Sequence, residues 1–153
     1  MARIYYKWGS RINFGFKNQT LNVASSDGQN VILLEPLIYV RKDGITIRNR
    51  AGATSDGLST PRIVWDILPP FGKPWFSGII HDGGYRGTLE ILTPAGNWMP
   101  LPLAYCDEAY CDSLIKEAME SQGVNALEVE TIFVALKECG WRAFDEDRKK
   151  LSN

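Results

Sequence analysis

The fold of this 153-residue chain is constrained most strongly by a change in its hydrophobic pattern, from strand-like in the first part to helical in the second. Residues 1–50 contain short runs rich in β-branched and aromatic residues, separated by turn residues, which is typical of antiparallel strands. The predicted strands cover residues 3–8, 31–34, 37–41 and 45–48. Residues 62–140 show mainly helical spacing instead. We therefore predict an α+β fold with an N-terminal antiparallel β half, a polar loop over residues 51–61 and a helical second half.

The second half is expected to hold three main helices and a small inserted hairpin. The expected elements are a short helix over residues 62–68, longer helices from residue 74 or 75, over 104–122 and over 125–140, and hairpin strands over 88–92 and 98–101. Pro69 and Pro70 end the short helix because proline lacks the amide hydrogen that a helix needs. Gly140 is predicted to end the last helix, which leaves residues 141–153 as a solvated or frayed tail.

The composition predicts one folded domain over residues 1–153, with enough apolar residues to bury a core. Hydrophobic residues make up 44% of the chain, and the formal net charge is −1. Without an excess of positive charge, we expect no sequence-independent binding to nucleic acid. No apolar run reaches the roughly 18 residues of a membrane-spanning helix, so we expect a soluble protein without a transmembrane segment.

The three cysteines favour a reducing compartment. Cys106, Cys111 and Cys139 are odd in number and follow no disulfide-framework or zinc-ligand spacing, so we expect free thiols. The N-terminus also lacks the apolar core of a signal peptide. We therefore expect the chain to be made and folded in a cytoplasm.

The segment HDGGYR, from His81 to Arg86, is the strongest candidate for a functional centre, and His81 is the only histidine in the chain. Each of two consecutive glycines inside a helix costs about 1 kcal/mol relative to alanine. Their small size is useful where a neighbouring helix or a ligand comes close to the backbone. The alternative is that Gly83 and Gly84 simply end the helix.

His81 can act as a general base if a carboxylate from elsewhere in the chain holds its other ring nitrogen. Asp82 is poorly placed for this, because adjacent helical side chains diverge by about 100°, but it could point at a cation. Asp107 and Asp112 are the two candidates, and helical phase does not choose between them. A purely structural histidine, or a cysteine nucleophile paired with His81, are the other interpretations.

Several pieces of the sequence together resemble a phage and prophage family, the domain of unknown function 1353. In chain order they are AGATSDGLSTPR at residues 51–62, Trp65, Leu68-Pro69-Pro70, HDGGYR, DSLIKEAM at residues 112–119 and Gly123-Val124. The resemblance covers residues 35–140, and the order of the pieces makes it specific. It implies a phage-encoded protein that is made in the host cytoplasm and can be incorporated in the virion.

A weaker resemblance concerns catalysis. The pattern His-Asp-x-x-Tyr on one helix, with an aspartate on the following antiparallel helix, is similar to the catalytic core of phospholipase A2 enzymes, including the compact form in parvovirus capsids. It implies that His81 activates water, that Asp112 orients His81 and that Tyr85 hydrogen-bonds to Asp112. It also implies that Asp82 helps to hold Ca²⁺. We add Asp56, on the polar loop, as a second metal ligand.

Other residues of the polar loop and of HDGGYR complete the candidate site as structural or binding residues: Gly57, Ser59, Arg62, Gly83, Gly84 and Arg86. The two arginines could bind a phosphate or a carboxylate. We favour a structural role, in which they satisfy Asp56 and Asp82, because an arginine beside an acidic loop most often pairs with it.

Two functions follow from these interpretations. The first is a hydrolase with a His-Asp dyad that acts on a lipid or envelope ester. The second is a non-enzymatic virion or tail accessory protein, which contacts phage structural proteins and in which the same polar residues form a buried network. A catalytic histidine needs an accessible cleft, whereas a structural one is enclosed with both nitrogens bonded.

Overall fold

The computed structural model of the chain describes residues 14–18, 20–25, 27, 30–56 and 75–152. Two predicted elements, the strand over residues 3–8 and the short helix over residues 62–68, lie outside the described residues. Within the described part, an antiparallel β half is followed by helices, and the predicted α+β class is confirmed.

The strands form two antiparallel sheets. The five-stranded sheet has the order β1-β4-β5-β7-β8, with β1 Gly15–Phe16, β4 Leu37–Val40, β5 Thr46–Asn49, β7 Leu89–Leu92 and β8 Trp98–Pro100. The three-stranded sheet has the order β2-β3-β6, with β2 Val23–Ala24, β3 Val31–Leu33 and β6 Thr54–Ser55.

The inserted hairpin is confirmed, and it extends the N-terminal sheet. Strand β7 pairs with β5, so that Ile47 lies opposite Ile91. The turn between β4 and β5 is also as predicted, because Gly44 adopts a φ of 86°, which suits glycine far better than other residues. The chain thus returns to its first sheet directly after a helix, and that helix is enclosed between strands and later helices.

Three helices are described: α1 Trp75–Arg86, α2 Glu108–Ser121 and α3 Ala126–Leu151. The predicted start of α2 at residue 104 is wrong by four residues. The side chain of Asp107 accepts a hydrogen bond from the Tyr110 amide, at 2.8 Å, and so fixes the N-terminus of α2 one residue later. The predicted buried stripe of α2 is confirmed and consists of Cys111, Leu114, Ile115, Ala118 and Met119.

Helix α3 continues well beyond Gly140, so its predicted end is wrong, and the segment predicted as a tail is helical although most of its residues are exposed. The additional turns pack on α1. The Phe144 ring meets the Tyr85 ring edge-on, with centroids 5.2 Å apart, and Arg148 donates a hydrogen bond to the Gly84 carbonyl at 2.9 Å. These tertiary contacts outweigh the cost of about 1 kcal/mol for a glycine inside the helix.

Helix α1 is buried on every side. Eleven of its residues, from Trp75 to Tyr85, are buried, and only Arg86 is partly exposed. The sequence places His81 away from the apolar face, and the structure shows that this second face is also interior. Burial raises the energetic importance of every polar contact along α1. Among the described residues, no helix is both long and apolar enough to cross a membrane.

Candidate functional site

His81 and Asp112 meet where α1 packs against α2. Nε2 of His81 lies 3.1 Å from Oδ1 of Asp112, and the two side chains are only 7% and 5% exposed. Asp107, the other candidate, is the N-cap of α2. The sequence left open which of the two carboxylates contacts His81, and in the structure it is Asp112.

Tyr85 provides a second contact to the same carboxylate oxygen. Its hydroxyl donates a hydrogen bond to Asp112 Oδ1 at 3.1 Å, and its ring lies 4.2 Å from the His81 ring, centroid to centroid. Burial raises the pKa of Tyr85, and the neighbouring Asp112 charge adds to this, so the hydroxyl remains a donor. Asp112 thus holds two groups that lie one helical turn apart on α1.

The two glycines of HDGGYR make close approaches on two different sides of α1, and neither ends the helix. A Cβ at Gly84 would lie 2.6 Å from Cys111 Sγ on α2. A Cβ at Gly83 would lie 2.7 Å from side-chain carbons of Asn49 on β5 and of Leu89 on β7. The predicted close approach of a neighbouring helix is therefore confirmed for Gly84, whereas Gly83 accommodates the sheet.

Asp82 faces the small sheet rather than α2. Its Oδ2 accepts hydrogen bonds from the Ser55 hydroxyl at 2.6 Å and from the Asp56 amide at 3.2 Å. Its Oδ1 lies 4.0 Å from Nδ1 of His81, beyond hydrogen-bonding distance. Burial raises the pKa of Asp82 well above its usual range, and repulsion from the Asp56 carboxylate raises it further.

Arg86 pairs with Asp56 and with β6, which agrees with a structural role. Its Nη2 lies 3.7 Å from Asp56 Oδ2, and its Nη1 donates to Thr54 Oγ1 at 3.1 Å. Its Nε also lies 4.0 Å from Asp147 on α3. The remaining loop residues of the predicted site, Gly57, Ser59 and Arg62, lie outside the described residues.

The predicted metal ligands are close to each other, since the Asp56 amide donates a hydrogen bond to Asp82 Oδ2 at 3.2 Å. Asp56 Oδ1 is buried and has no hydrogen-bond partner among the described residues. However, calcium takes about six to eight oxygen ligands, and the described residues contain no group of three or more His, Cys, Asp or Glu that could hold a metal ion. These two carboxylates do not make a calcium site by themselves, so we assign no chemical step to a metal.

Sequence reasoning missed three residues that shape the site: Ser55, Gly140 and Arg148. A Cβ at Gly140 would lie 2.7 Å from the Tyr85 hydroxyl, so this glycine makes room for the tyrosine. One signal was available, because Gly140, Phe144 and Arg148 recur at four-residue intervals and therefore share one helical face. Ser55 offered none, because residues 51–61 were predicted as a polar loop, and that prediction is wrong at Thr54–Ser55, which form strand β6.

Comparison with known proteins identifies the family of this chain. Residues 31–136 match the model of a family described as a protein of unknown function, DUF1353. The chain belongs to this family. No curated protein and no solved structure gives a significant match. The matched range includes Asp56, His81, Asp82, Tyr85 and Asp112, whereas the part of α3 that packs on α1 beyond residue 136 lies outside it.

Proposed function

We propose that this DUF1353 protein is a hydrolase in which His81 and Asp112 form a catalytic dyad. One observation carries the proposal: His81 Nε2 lies 3.1 Å from a buried carboxylate oxygen contributed by a different helix. Buried pairs of this kind are common at sites where an imidazole removes a proton from water. Asp112 orients the ring, and Tyr85 holds Asp112.

The arrangement leaves the second ring nitrogen for chemistry. When Nε2–H donates to Asp112, Nδ1 carries the lone pair and can accept a proton. Nδ1 has no hydrogen bond within the described part of the chain, and its nearest described acidic oxygen, on Asp82, is 4.0 Å away. In the proposed reaction, a water molecule beside Nδ1 loses a proton to His81 and attacks the ester carbonyl. The ester C–O bond of the resulting tetrahedral intermediate then breaks, and the alcohol leaves with the proton that His81 returns. The imidazolium that forms is stabilised by Asp112.

The proposed substrate class is a lipid or envelope ester, attacked during phage entry or exit. It rests on the likeness of His81, Asp82, Tyr85 and Asp112 to the phospholipase A2 core. Two contacts implied by that likeness are consistent with it: His81 to Asp112 and Tyr85 to Asp112, each at 3.1 Å.

The test is hydrolysis of phospholipid vesicles by the purified protein, with added calcium or with a chelator. We expect fatty-acid release by the wild type and a fall of about 100-fold or more in His81→Ala, because a general base contributes about that much. Arg41→Lys is a matched control, since Arg41 pairs with Glu117 at the far end of α2. Hydrolysis that persists in His81→Ala would refute the dyad, and loss of activity with the chelator would show a metal requirement.

A second candidate is a non-enzymatic virion or tail accessory protein. Two observations favour it: the His81 side chain is enclosed, at only 7% exposure, and Asp82 ties α1 to β6 through Ser55 and the Asp56 amide, as a purely structural network would. In that case the wild type hydrolyses no phospholipid. His81→Ala is expected to lower the free energy of unfolding under either function, because Asp112 loses a buried partner. Hydrolysis by the wild type therefore separates the two functions, and unfolding in urea shows whether the variant is folded under the assay conditions.

A further inference from the structure

Two of the three cysteines lie side by side next to the candidate site. Sγ of Cys106 is 3.5 Å from Sγ of Cys111, which is close to van der Waals contact. Cys106 lies just before the N-cap of α2, and Cys111 lies in the second turn of that helix. Both residues are buried, with 2% and 0% exposure. A pair of free thiols at this distance needs only a small movement to reach the bond length of a disulfide, about 2 Å.

The surroundings of the two thiols differ. The guanidinium of Arg148 donates hydrogen bonds to the carbonyl oxygens of Cys106 and Gly84, and this positive charge favours a thiolate nearby. Contact with Cys111 and the charge of Arg148 lower the pKa of Cys106, whereas contact with Cys106 and burial raise the pKa of Cys111. One thiol is thus suited to attack an oxidant, and the other stays protonated beside it.

We propose that Cys106 and Cys111 are a redox-active dithiol, which hydrogen peroxide converts to an intramolecular disulfide. The Cys106 thiolate attacks the peroxide oxygen, the O–O bond breaks, and a proton from solvent lets water leave, giving a sulfenic acid. The Cys111 sulfur then attacks the Cys106 sulfur, and water leaves with the proton of Cys111. The peroxide is reduced to two water molecules, and the two thiols lose two electrons.

The position of the pair connects it to the rest of the molecule. Cys111 immediately precedes Asp112 in the chain. Its Sγ packs against the backbone of Gly84, and Gly84 lies between His81 and Tyr85 in the sequence. The segment before α2 reaches the surface, since Leu103 and Tyr105 are 47% and 73% exposed, which gives a small oxidant a route by local opening. Dithiol oxidation does not depend on the proposed hydrolase activity.

The test uses the full chain with Cys139→Ser, so that only the two thiols of interest remain. After treatment with hydrogen peroxide, we expect both thiols to disappear together from a titration of the denatured protein. Mass spectrometry should show a loss of two hydrogens and a peptide linking residues 106 and 111, and dithiothreitol should restore both thiols.

Two further variants in that background show which thiol reacts first. With Cys111→Ser, Cys106 should be trapped as a sulfenic acid by dimedone, because no resolving thiol is present. With Cys106→Ser, the remaining thiol should stay unmodified under the same treatment. The proposal is overturned if both thiols survive peroxide, if Cys106 gains oxygen while Cys111 stays a thiol, or if the only disulfide formed joins two molecules.

Discussion

Two carboxylates flank the imidazole of His81, and they are held in different ways. Asp112 comes from α2, lies 3.1 Å from Nε2 and accepts a further hydrogen bond from α1. Asp82 comes from α1 itself, lies 4.0 Å from Nδ1 and accepts its hydrogen bonds from β6 and the residue after it. One carboxylate therefore joins two helices through the imidazole, whereas the other joins a helix to the small sheet and leaves the imidazole unbonded on that side.

The largest effect is expected from removal of Asp112. Asp112→Ala leaves the Tyr85 hydroxyl and a ring nitrogen of His81 buried without their partner, and each such group costs about 1 to 3 kcal/mol. We expect the free energy of unfolding to fall by about 3 kcal/mol in urea titrations. Asp112→Asn is the matched control, because its amide oxygen can still accept from Tyr85, and it should cost less. Equal losses in both variants would contradict the proposed role of the acceptor.

The second effect concerns the space that α3 leaves for Tyr85. A Cβ at Gly140 would lie 2.7 Å from the Tyr85 hydroxyl, so Gly140→Ala forces this group away from Asp112. We expect a loss of about 1 to 3 kcal/mol in the free energy of unfolding, typical of overpacking. In a Tyr85→Phe background the hydroxyl is absent, and the same substitution should cost clearly less. Additive losses would show that Gly140 acts elsewhere.

A smaller effect of opposite sign is expected at Asp82. Its pKa is raised in the folded protein by burial and by Asp56, so folding favours the protonated form. The stabilising contribution of this carboxyl is complete below its unfolded pKa and is lost as pH rises through the folded pKa. At neutral pH Asp82→Asn should therefore unfold at a higher temperature than the wild type, and the difference should shrink as pH falls. A difference that is constant across pH would contradict the raised pKa.

The contacts of Asp112, which join two helices, could be predicted from the sequence better than the contacts of Asp82, which join a helix to the small sheet. His81, Tyr85 and Asp112 lie on helices, where fixed spacing tells which side chains share a face. The partners of Asp82 could not be predicted, because Ser55 meets it through sheet pairing between distant segments, and one sequence contains no register for that pairing. Helical phase also could not choose Asp112 over Asp107, since the choice depends on where α2 begins.

The prediction that α3 ends at Gly140 was wrong for a different physical reason. Glycine often follows the end of a helix, and the sequence after Gly140 is highly charged, so local preference predicted that the helix ends there and that a solvated or frayed tail follows. The structure instead places Phe144 against Tyr85 and Arg148 against the Gly84 carbonyl. Tertiary contacts of this kind override the local helix propensity. The only sign of them in the sequence is that Gly140, Phe144 and Arg148 are spaced four residues apart.

The smallest effect is expected at Arg86, the charged partner on the strand side. Arg86 and Asp56 are 27% and 35% exposed and 3.7 Å apart, so solvent screens their attraction. We expect Arg86→Ala to lower the free energy of unfolding by about 0.5 kcal/mol, less at high salt. Ser55→Ala, which removes the buried hydrogen bond to Asp82, is the comparison variant and should cost about 1 to 2 kcal/mol without salt dependence. If Arg86→Ala were the more damaging change, the exposed ion pair rather than the buried hydrogen bond would be what fastens α1 to β6.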